Sequence, residues 1–341
     1  YDYGDQVVEV RVNLAESRAN DPFGTIDTLS GIEIAYGGRL DDFLVGDDAD
    51  NELFGMRGDD RLIGAGGDDL IDGGAGRDTA VFFGRQATFT VVVSPSGPSV
   101  IDRTPDRLGT DRLDGIETLE FADVFTWPLD KFAGGVGLAE CDFRTFVEFY
   151  IAYFDRAPDA QGLFFWATAF AQGLSLEAIA ADWLIQPEFA ATYPTGLSND
   201  DFATEVYQNV LGRTPDPLGY DFWVRMLDSG TVGRDVFILE VLRGAKAPPP
   251  ADADSDFIEQ KLADRAFLAD KTDIGIYFAA TKGMSDVAHA SEAMAVFDGS
   301  EASKTAAAAA IAGYYADAVD PVSGEFLLQL VGVVDDPFAA I

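Results

Sequence analysis

Apolar and polar residues alternate along parts of the first third of the chain, with the period of a half-buried strand. Residues Val7–Leu14 read VVEVRVNL, and Asn20–Gly24 supplies a turn after them. Residues Ala87–Val93 read ATFTVVV and predict a hairpin that runs into Ser99–Asp102. These patterns predict an all-β first domain that ends near Leu129.

Beyond Gly134 and Gly135 the period changes from two to about 3.6 residues. Aromatic residues recur there at i, i+3, i+4, i+7 and i+8, namely at Phe146, Phe149, Tyr150, Tyr153 and Phe154. This spacing predicts a helix that buries one aromatic face in a core. We therefore expect a mostly α-helical second domain.

The last part of the chain mixes patterns. Lys246–Asp254 reads KAPPPADAD and predicts an extended linker. Phe257–Ala280 predicts a helix with a break near Asp270, and the alanine-dense Ser300–Ala318 predicts another helix. Gly324–Val334 reads GEFLLQLVGVV and predicts a strand that either rejoins a sheet or pairs with a second copy of the chain.

Between Gly37 and Val81 the sequence repeats every nine residues, as GGRLDDFLV, GDDADNELF, GMRGDDRLI, GAGGDDLID and GGAGRDTAV. Each repeat has glycine first and an acid or amide sixth, and all but the last have a larger aliphatic residue eighth. We expect the eighth-position side chains to point inward as a core, at Leu44, Leu53, Leu62, Ile71 and Ala80. Each repeat is then one turn and one short strand, and the array predicts a parallel β-roll.

Alternate repeats of such a roll stack on the same edge, so residues eighteen apart become neighbours. Asp42, Asp60 and Asp78 line one edge, and Asn51 and Asp69 line the other. The fifth position adds further charge, at Asp41, Asp50, Asp59 and Asp68. Carboxylates and turn carbonyls are hard oxygen ligands that suit Ca²⁺, and glycine permits the tight turns that carry them.

This array resembles the RTX (repeat-in-toxin) family, whose consensus is GGxGxDxUx. The resemblance implies calcium sites between same-side turns, which pair Asp42 with Asp60, Asp60 with Asp78, and Asn51 with Asp69, for about two or three ions. The turn glycines that would help to form these sites are Gly37, Gly46, Gly55, Gly58, Gly64, Gly66, Gly67, Gly73 and Gly76.

Some positions depart from the consensus. Leu40 replaces a fourth-position glycine, and Asp47 and Met56 replace second-position glycines. Asn51 carries no charge and marks the weakest expected site.

Two similar segments flank the roll, GTIDTLSGIEI at Gly24–Ile34 and GTDRLDGIETL at Gly109–Leu119. They resemble the edge or cap turns that accompany RTX rolls. Their matching aliphatic residues are expected to be buried, Leu29 and Ile32 in the first segment and Leu113 and Ile116 in the second.

A second duplication lies in the helical part, where Tyr150–Trp166 aligns without gaps to Tyr207–Trp223. Both copies contain R-x-P-D-x-x-G, in which proline ends one helix and the aspartate caps the next. Each arginine is placed to bond the helix-end carbonyls or that cap. The shared residues are Arg156, Asp159 and Trp166 in the first copy, and Arg213, Asp216 and Trp223 in the second. They form either a structural helix corner used twice or a ligand cleft lined by the tryptophans and arginines.

This part resembles the DUF4214 family of bacterial domains, which carry an LGRxPDxxGxxYW-like signature. Leu211–Trp223 is the closer match, with Phe222 in place of tyrosine, and in the other copy Asp155 replaces glycine. The resemblance covers about residues 142–247. It implies a secreted protein of the surface-layer or adhesin-like kind, since such domains commonly accompany RTX repeats, and it implies no reaction.

Together these patterns predict a multidomain fold: a parallel β-roll with flanking β-strands at residues 1–130, a mostly α-helical domain at 131–247, and a small mixed α/β segment at 248–341. Acidic residues outnumber basic ones by 59 to 23, and the net charge is −36. This charge argues against nucleic acid and anionic membranes as partners. No run approaches the roughly 18 apolar residues needed to cross a bilayer, so membrane insertion is not expected.

Catalysis based on histidine or cysteine has little support. The chain has one histidine, His289, so it lacks the pair that an HExxH zinc site needs. We expect His289 to be an ordinary exposed helix residue, and neither Cys141 nor any serine has a nucleophile signature. Catalysis by carboxylates alone stays open, but no enzyme is expected.

We therefore expect an extracellular or cell-surface structural or adhesive protein that folds on Ca²⁺ after export. The terminal VVDDPFAAI resembles a type I secretion signal and also fits a plain strand. One alternative is a polysaccharide-binding module that uses Trp166 and Trp223. Another is the export and stability part of a larger secreted enzyme, because the chain begins with Tyr1.

Overall fold

The computed structural model of the chain describes residues 9–20, 25–105, 109–251 and 253–339. The chain divides into two compact units, one of residues 1–137 with 315–333 and one of residues 138–314 with 334–341. The first unit is mainly β and the second is helical, which confirms the predicted fold class. The start of the strand expected at Val7, most of the turn expected at Asn20–Gly24, and the last two residues lie outside the described part.

The described strands are short. They are β1 (Arg11–Asn13), β2 (Arg18–Asn20), β3 (Ile26–Thr28), β4 (Ile34–Gly38), β5 (Phe43–Val45), β6 (Glu52–Met56), β7 (Arg61–Ile63), β8 (Leu70–Asp72), β9 (Thr79–Phe82), β10 (Phe89–Val93), β11 (Ser99–Asp102), β12 (Thr110–Asp114), β13 (Thr118–Phe121), β14 (Val124–Pro128) and β15 (Leu327–Leu330).

Two sheets form the faces of a parallel β-roll. One has the order β14-β13-β9-β7-β5-β1-β2-β3 and the other the order β15-β10-β11-β12-β8-β6-β4. Within the repeats every parallel pair is offset by eighteen residues, as in Leu44 beside Leu62 and Leu53 beside Ile71. The nine-residue period therefore predicted the register correctly.

The eighth-position side chains form the core between the sheets. All five have 0% exposure: Leu44, Leu53, Leu62, Ile71 and Ala80. Val12, Leu113 and Leu119 lie beside members of these columns and are also buried. Burying each larger aliphatic side chain stabilises the roll by about 1.5–3 kcal/mol.

The segment at Gly109–Leu119 adds one more coil to the roll. Its strands β12 and β13 pair in parallel with β8 and β9, although the hairpin of β10 and β11 is inserted between the last repeat and this coil. The turns of the two similar segments share a left-handed glycine, Gly31 at φ 61° and Gly115 at φ 57°. Leu29, Leu113 and Ile116 are buried as expected, whereas Ile32 is only half-buried.

The described helices are α1 (Asp130–Ala133), α2 (Glu140–Phe154), α3 (Ala160–Ala171), α4 (Leu176–Leu184), α5 (Pro187–Thr192), α6 (Asn199–Leu211), α7 (Pro217–Asp228), α8 (Arg234–Lys246), α9 (Ser255–Ile276), α10 (Val287–Ala295) and α11 (Glu301–Ala318). None of the helices in the described part of the chain is long and apolar enough to cross a membrane.

The duplicated motif forms two helix corners of the same construction. Helices α2 and α6 each end at a left-handed residue, Asp155 or Gly212. The next helix, α3 or α7, is capped by an aspartate whose side chain accepts a backbone N–H: Asp159 from Gly162 at 2.7 Å, and Asp216 from Gly219 at 2.9 Å. The aromatic face predicted on α2 is buried throughout. The capping role predicted for both aspartates is confirmed.

One local prediction in the last part is wrong. Helix α9 runs past Asp270 without a break, and the half-buried carboxylate of this residue forms an ion pair with Lys304 (2.7 Å). The irregularity comes later, as a π-helical turn at Tyr277–Thr281. The strand predicted within Gly324–Val334 is confirmed, with its extent limited to Leu327–Leu330, and it rejoins a sheet by pairing in parallel with β10.

Candidate metal centre

Each edge of the roll carries a column of buried acids and amides. Asp42, Asp60 and Asp78 are at most 3% exposed, and so are Asn51 and Asp69 on the other edge. Each acid binds the backbone of the preceding coil through Oδ1. The N–H of Asp42 donates to Asp60 (2.7 Å), that of Asp60 donates to Asp78 (2.7 Å), and that of Asn51 donates to Asp69 (2.8 Å). The structure thus brings together the three pairs that the sequence suggested.

The other carboxylate oxygen has no such partner at three of these positions. Oδ2 of Asp60, Asp69 and Asp78 is buried and has no hydrogen-bond partner among the described residues. A buried carboxylate oxygen without a donor is costly, so it calls for a cation or a proton. The cation or proton that compensates these carboxylate oxygens therefore has to come from outside the chain.

The first-position glycines leave room for a cation, because they have no Cβ atom in the space between these oxygens. A Cβ atom built on Gly37 would lie 2.5 Å from the carbonyl oxygen of Gly55 and 2.6 Å from Oδ2 of Asp42. The same pair of oxygen types crowds the Cβ position of Gly46 (Gly64 O and Asn51 Oδ1) and of Gly55 (Gly73 O and Asp60 Oδ2). A carboxylate or amide oxygen and the carbonyl oxygen of the next coil therefore face one small space. This donor set fits Ca²⁺, which prefers several oxygen ligands.

The remaining predicted turn glycines allow adjacent coils to approach closely. Gly58, Gly67 and Gly76 have φ angles of 118°, 99° and 157°, and a Cβ on any of them would collide with the backbone of the preceding coil. At Gly64 and Gly73 a Cβ would meet the acid of the same repeat, Asp69 or Asp78. Gly66 is buried and donates its N–H to the carbonyl of Asp47 (2.9 Å).

A protein-family model described as RTX calcium-binding nonapeptide repeat matches residues 27–55 and 45–80. Residues 27–80 of the roll are an RTX calcium-binding repeat region. A second model, described as a domain of unknown function (DUF4214), matches residues 180–245, which include the second helix corner but not the first. No curated protein shows significant similarity to the chain. Both suspected families are therefore confirmed, and calcium is the cofactor of the RTX roll.

Burial makes the acids of the RTX roll resist ionisation in the absence of metal. It raises the pKa of Asp60 to about 7 and that of Asp69 and Asp78 to about 6, and the nearby carboxylates add to the effect. The pKa of Asp42 is also raised by burial. A bound Ca²⁺ supplies the positive charge that lets these groups stay ionised inside the roll.

Fifth-position acids form an outer ladder on the RTX roll. Asp41, Asp50, Asp59 and Asp68 are exposed. Asp41 accepts the N–H of Asp59 (2.8 Å), and Asp50 accepts that of Asp68 (2.9 Å). These carboxylates fasten successive turns to one another and surround the buried columns with negative charge.

Two residues that sequence reasoning did not select extend the buried columns. The N–H of Asp69 donates to Oδ1 of Asp111 (3.1 Å), and the N–H of Asp78 donates to Oε2 of Glu117 (2.8 Å). Asp111 is 2% exposed, and burial raises its pKa to about 8. A short sequence match could have identified Asp111. Asp111-Arg112-Leu113 has the same order of residues as Asp60-Arg61-Leu62, although it lies outside the nine-residue repeats.

The departures from the RTX consensus change the turns in different ways. Met56 and Ala65 take the left-handed conformation at the second position, with φ 77° and 78°, where the last repeat has Gly74. Asn51 uses its Oδ1 to accept the backbone N–H of Asp47 (2.7 Å), and its Nδ2 donates to Oδ1 of Asp47 (3.4 Å), so the side chain that replaces one glycine is tied to the uncharged ligand position.

The helix corners hold their arginines in ion pairs. Arg213 binds Asp264 through two hydrogen bonds of 2.7 Å. Arg156 binds Glu188 in the same two-pronged way and also contacts Asp159. Each arginine also donates to the carbonyl of the next residue, Thr214 or Ala157, which lies in the loop after the helix rather than at the helix end. The predicted contact with the capping aspartate is present at Arg156.

A cavity of about 400 Å³ adjoins each corner. Trp223 and Tyr207 line the cavity at the second corner, and Trp166 and Tyr150 line the one at the first. His289 lies apart from both cavities on α10. It is half-buried rather than exposed, because its ring stacks on Tyr314 at 4.1 Å between centroids.

Proposed function

We propose that this chain is a secreted, calcium-stabilised structural or adhesive protein whose RTX roll folds when it binds Ca²⁺ after export. The observation that carries the proposal is the set of buried, partnerless Oδ2 atoms of Asp60, Asp69 and Asp78 beside glycines that leave room for an ion. RTX calcium-binding repeats match this region, and proteins with such repeats are typically secreted. The proposed role needs no catalysis.

Electrostatics supports a link between calcium and folding. The chain has a net charge of −36, and five acids or amides of the roll are buried in two columns. Without a cation these columns repel themselves, so the roll stays loose where calcium is scarce. Where calcium is plentiful, the free energy of binding becomes free energy of folding.

Circular dichroism tests this proposal. Adding calcium in the millimolar range to the chelator-treated chain should produce a large gain of β signal, and chelator should reverse it. Asp60→Ala should weaken the response most, because Asp60 lies between Asp42 and Asp78 in its column. Glu52→Ala is the matched control, since Glu52 is an exposed acid on β6. A spectrum that does not respond to calcium would refute the proposal.

The cavity at the second corner favours a second candidate, a polysaccharide-binding module. Its wall combines Trp223 with Phe257, whose side chain is half exposed, and aromatic faces of this kind can stack on sugar rings. Arg213 is already neutralised by Asp264, so the cavity suits an uncharged ligand better than an anionic one. A glycan array in the presence of calcium tests this candidate. Binding that Trp223→Ala abolishes and Trp166→Ala leaves intact would support it, and an array without hits would reject it.

Assembly at the cell surface is a further part of the main proposal. Strand β15 lies at the end of its sheet and pairs with β10 on one side. Electron microscopy of the purified chain with calcium should show sheets or filaments that are absent after deletion of residues 324–341. Particles that stay monomeric with calcium would remove the surface-layer part of the proposal.

A further inference from the structure

The buried columns of the roll do not end where the recognised repeats end. The family match stops at residue 80, yet Asp78 and Asp69 are each followed in their column by another carboxylate, on Glu117 and Asp111. Both groups come from the coil of β12 and β13, which the inserted β10–β11 hairpin separates from the repeats. The columns are continuous in space although the chain leaves the roll and returns.

The added coil reproduces the donor geometry of the repeats on the Asp78 edge. A Cβ atom on Gly73 would meet both the side chain of Asp78 and the carbonyl oxygen of Gly115. The carbonyl of Gly115 therefore holds the place that the carbonyls of Gly73 and Gly55 hold one and two coils earlier. The donor pattern of the predicted sites is thus present once more.

A longer side chain compensates for a shorter turn in this coil. Only Ile116 separates Gly115 from Glu117, whereas four residues separate Gly73 from Asp78. Glutamate has one methylene group more than aspartate, and its Oε2 still reaches the N–H of Asp78 at 2.8 Å. The substitution of glutamate for aspartate therefore fits the altered backbone.

The partnerless oxygens at this end of the roll point to a ligand rather than to a simple hydrogen-bonded cap. Oδ2 of Asp78 and Oδ2 of Asp69 are both buried without a partner among the described residues, and their side chains are at most 2% exposed. A cap would need only the oxygen that accepts the backbone N–H. The second oxygen of each acid is left without a donor, and that of Asp69 lies 2.1 Å from the Cβ position of Gly64.

We propose that Glu117 and Asp111 complete two further calcium sites, one with Asp78 and the carbonyl of Gly115, and one with Asp69. These sites form only when the β10–β11 hairpin has folded and the segment of β12 and β13 has docked. Calcium then holds the inserted hairpin against the roll. It also holds strand β15 there, because β15 pairs with β10 of the hairpin. This inference rests on the proposed function, since it requires that the roll binds calcium.

Calcium stoichiometry on the full chain tests the inference. Equilibrium dialysis or titration calorimetry should give one ion fewer for Asp111→Asn, one fewer for Glu117→Gln and two fewer for the double variant. Both changes keep an oxygen that can accept the backbone N–H and remove the charge. Glu52→Gln is the control, because it removes an exposed charge from the same sheet and should bind as many ions as the wild type.

The outcomes separate the two proposals. A double variant with the wild-type number of ions would overturn the added sites and leave the proposed function intact. A wild-type chain that binds no calcium would overturn the proposed function itself. Far-UV circular dichroism at saturating calcium shows whether each variant has folded. If each single variant lost every ion, the assignment of one separate site to each residue would be wrong.

Discussion

Met56 occupies a backbone conformation that suits glycine. Its φ angle is 77°, its side chain is 46% exposed, and the equivalent position in the last repeat is Gly74 at φ 88°. A left-handed residue other than glycine costs about 1 kcal/mol, and little apolar burial is lost when this side chain is removed.

Met56→Gly should therefore stabilise the calcium-bound roll by about 1 kcal/mol in urea unfolding. Ala49→Gly is the matched control, since Ala49 is an exposed turn residue without a left-handed φ. The control should be neutral or slightly destabilising. Equal effects of the two substitutions would show that the strain at Met56 is not what limits stability.

Single residues also show why most of the candidate site could be predicted from the sequence. The sixth-position acids lie in the columns because the nine-residue period sets the eighteen-residue register between neighbouring strands. Asp111 and Glu117 could not be placed in the same way. They enter the columns 42 and 39 residues after their partners Asp69 and Asp78, distances that follow from an inserted hairpin and a shortened turn.

At the scale of elements, the two helix corners repeat both a sequence and a set of contacts. Each arginine binds an acid from another helix, Glu188 on α5 or Asp264 on α9. The RxPDxxG motif predicted the caps, but it carries no information on these acids, which lie 32 and 51 residues from their arginines. Which acid pairs with each arginine depends on how the helices pack.

Removing one of these acids should destabilise the helical unit. Asp264 is 5% exposed at its side chain and also accepts a hydrogen bond from Gln260, so Asp264→Ala leaves Arg213 without its buried partner. We expect a loss of about 3 kcal/mol in the free energy of unfolding.

Glu177→Ala provides the comparison. Glu177 pairs with Arg243 on the surface, where both side chains are more than half exposed, and an exposed pair contributes roughly 0–1 kcal/mol. Urea unfolding of both variants measures the difference. A loss for Asp264→Ala no larger than that for Glu177→Ala would show that the corner pair is not a stability determinant.

At the scale of the whole molecule, the excess of acids makes proton binding an alternative to calcium. Burial raises the pKa of Asp60 to about 7 and that of Asp69 and Asp78 to about 6, whereas the pKa of an unfolded aspartate is about 4. A raised folded-state pKa means that the folded roll binds protons more tightly than the unfolded chain. The resulting stabilisation is complete below the unfolded pKa and is lost as the pH rises through the folded values.

The chelator-treated chain should therefore gain β signal and melt at a higher temperature as the pH falls from about 8 to about 5. Calcium should remove most of this dependence, because the ion supplies the compensating charge at neutral pH. Circular dichroism melts at several pH values, with chelator and with calcium, measure both effects. A metal-free roll that grows less stable over this range would contradict the raised pKa values.

The sequence by itself determined the parallel roll, its register and its ion. A nine-residue period with glycine, acid and aliphatic residue at fixed places can be satisfied by only one stacking, since each coil buries the same side chains against the next. It also determined the helix corners, because caps and left-handed ends are local. Only the tertiary structure decided the continuation of the roll into the Asp111–Glu117 coil, the pairing of β15 with β10 and the acids that face Arg156 and Arg213. These contacts join residues far apart in the chain, and packing rather than periodicity selects their partners.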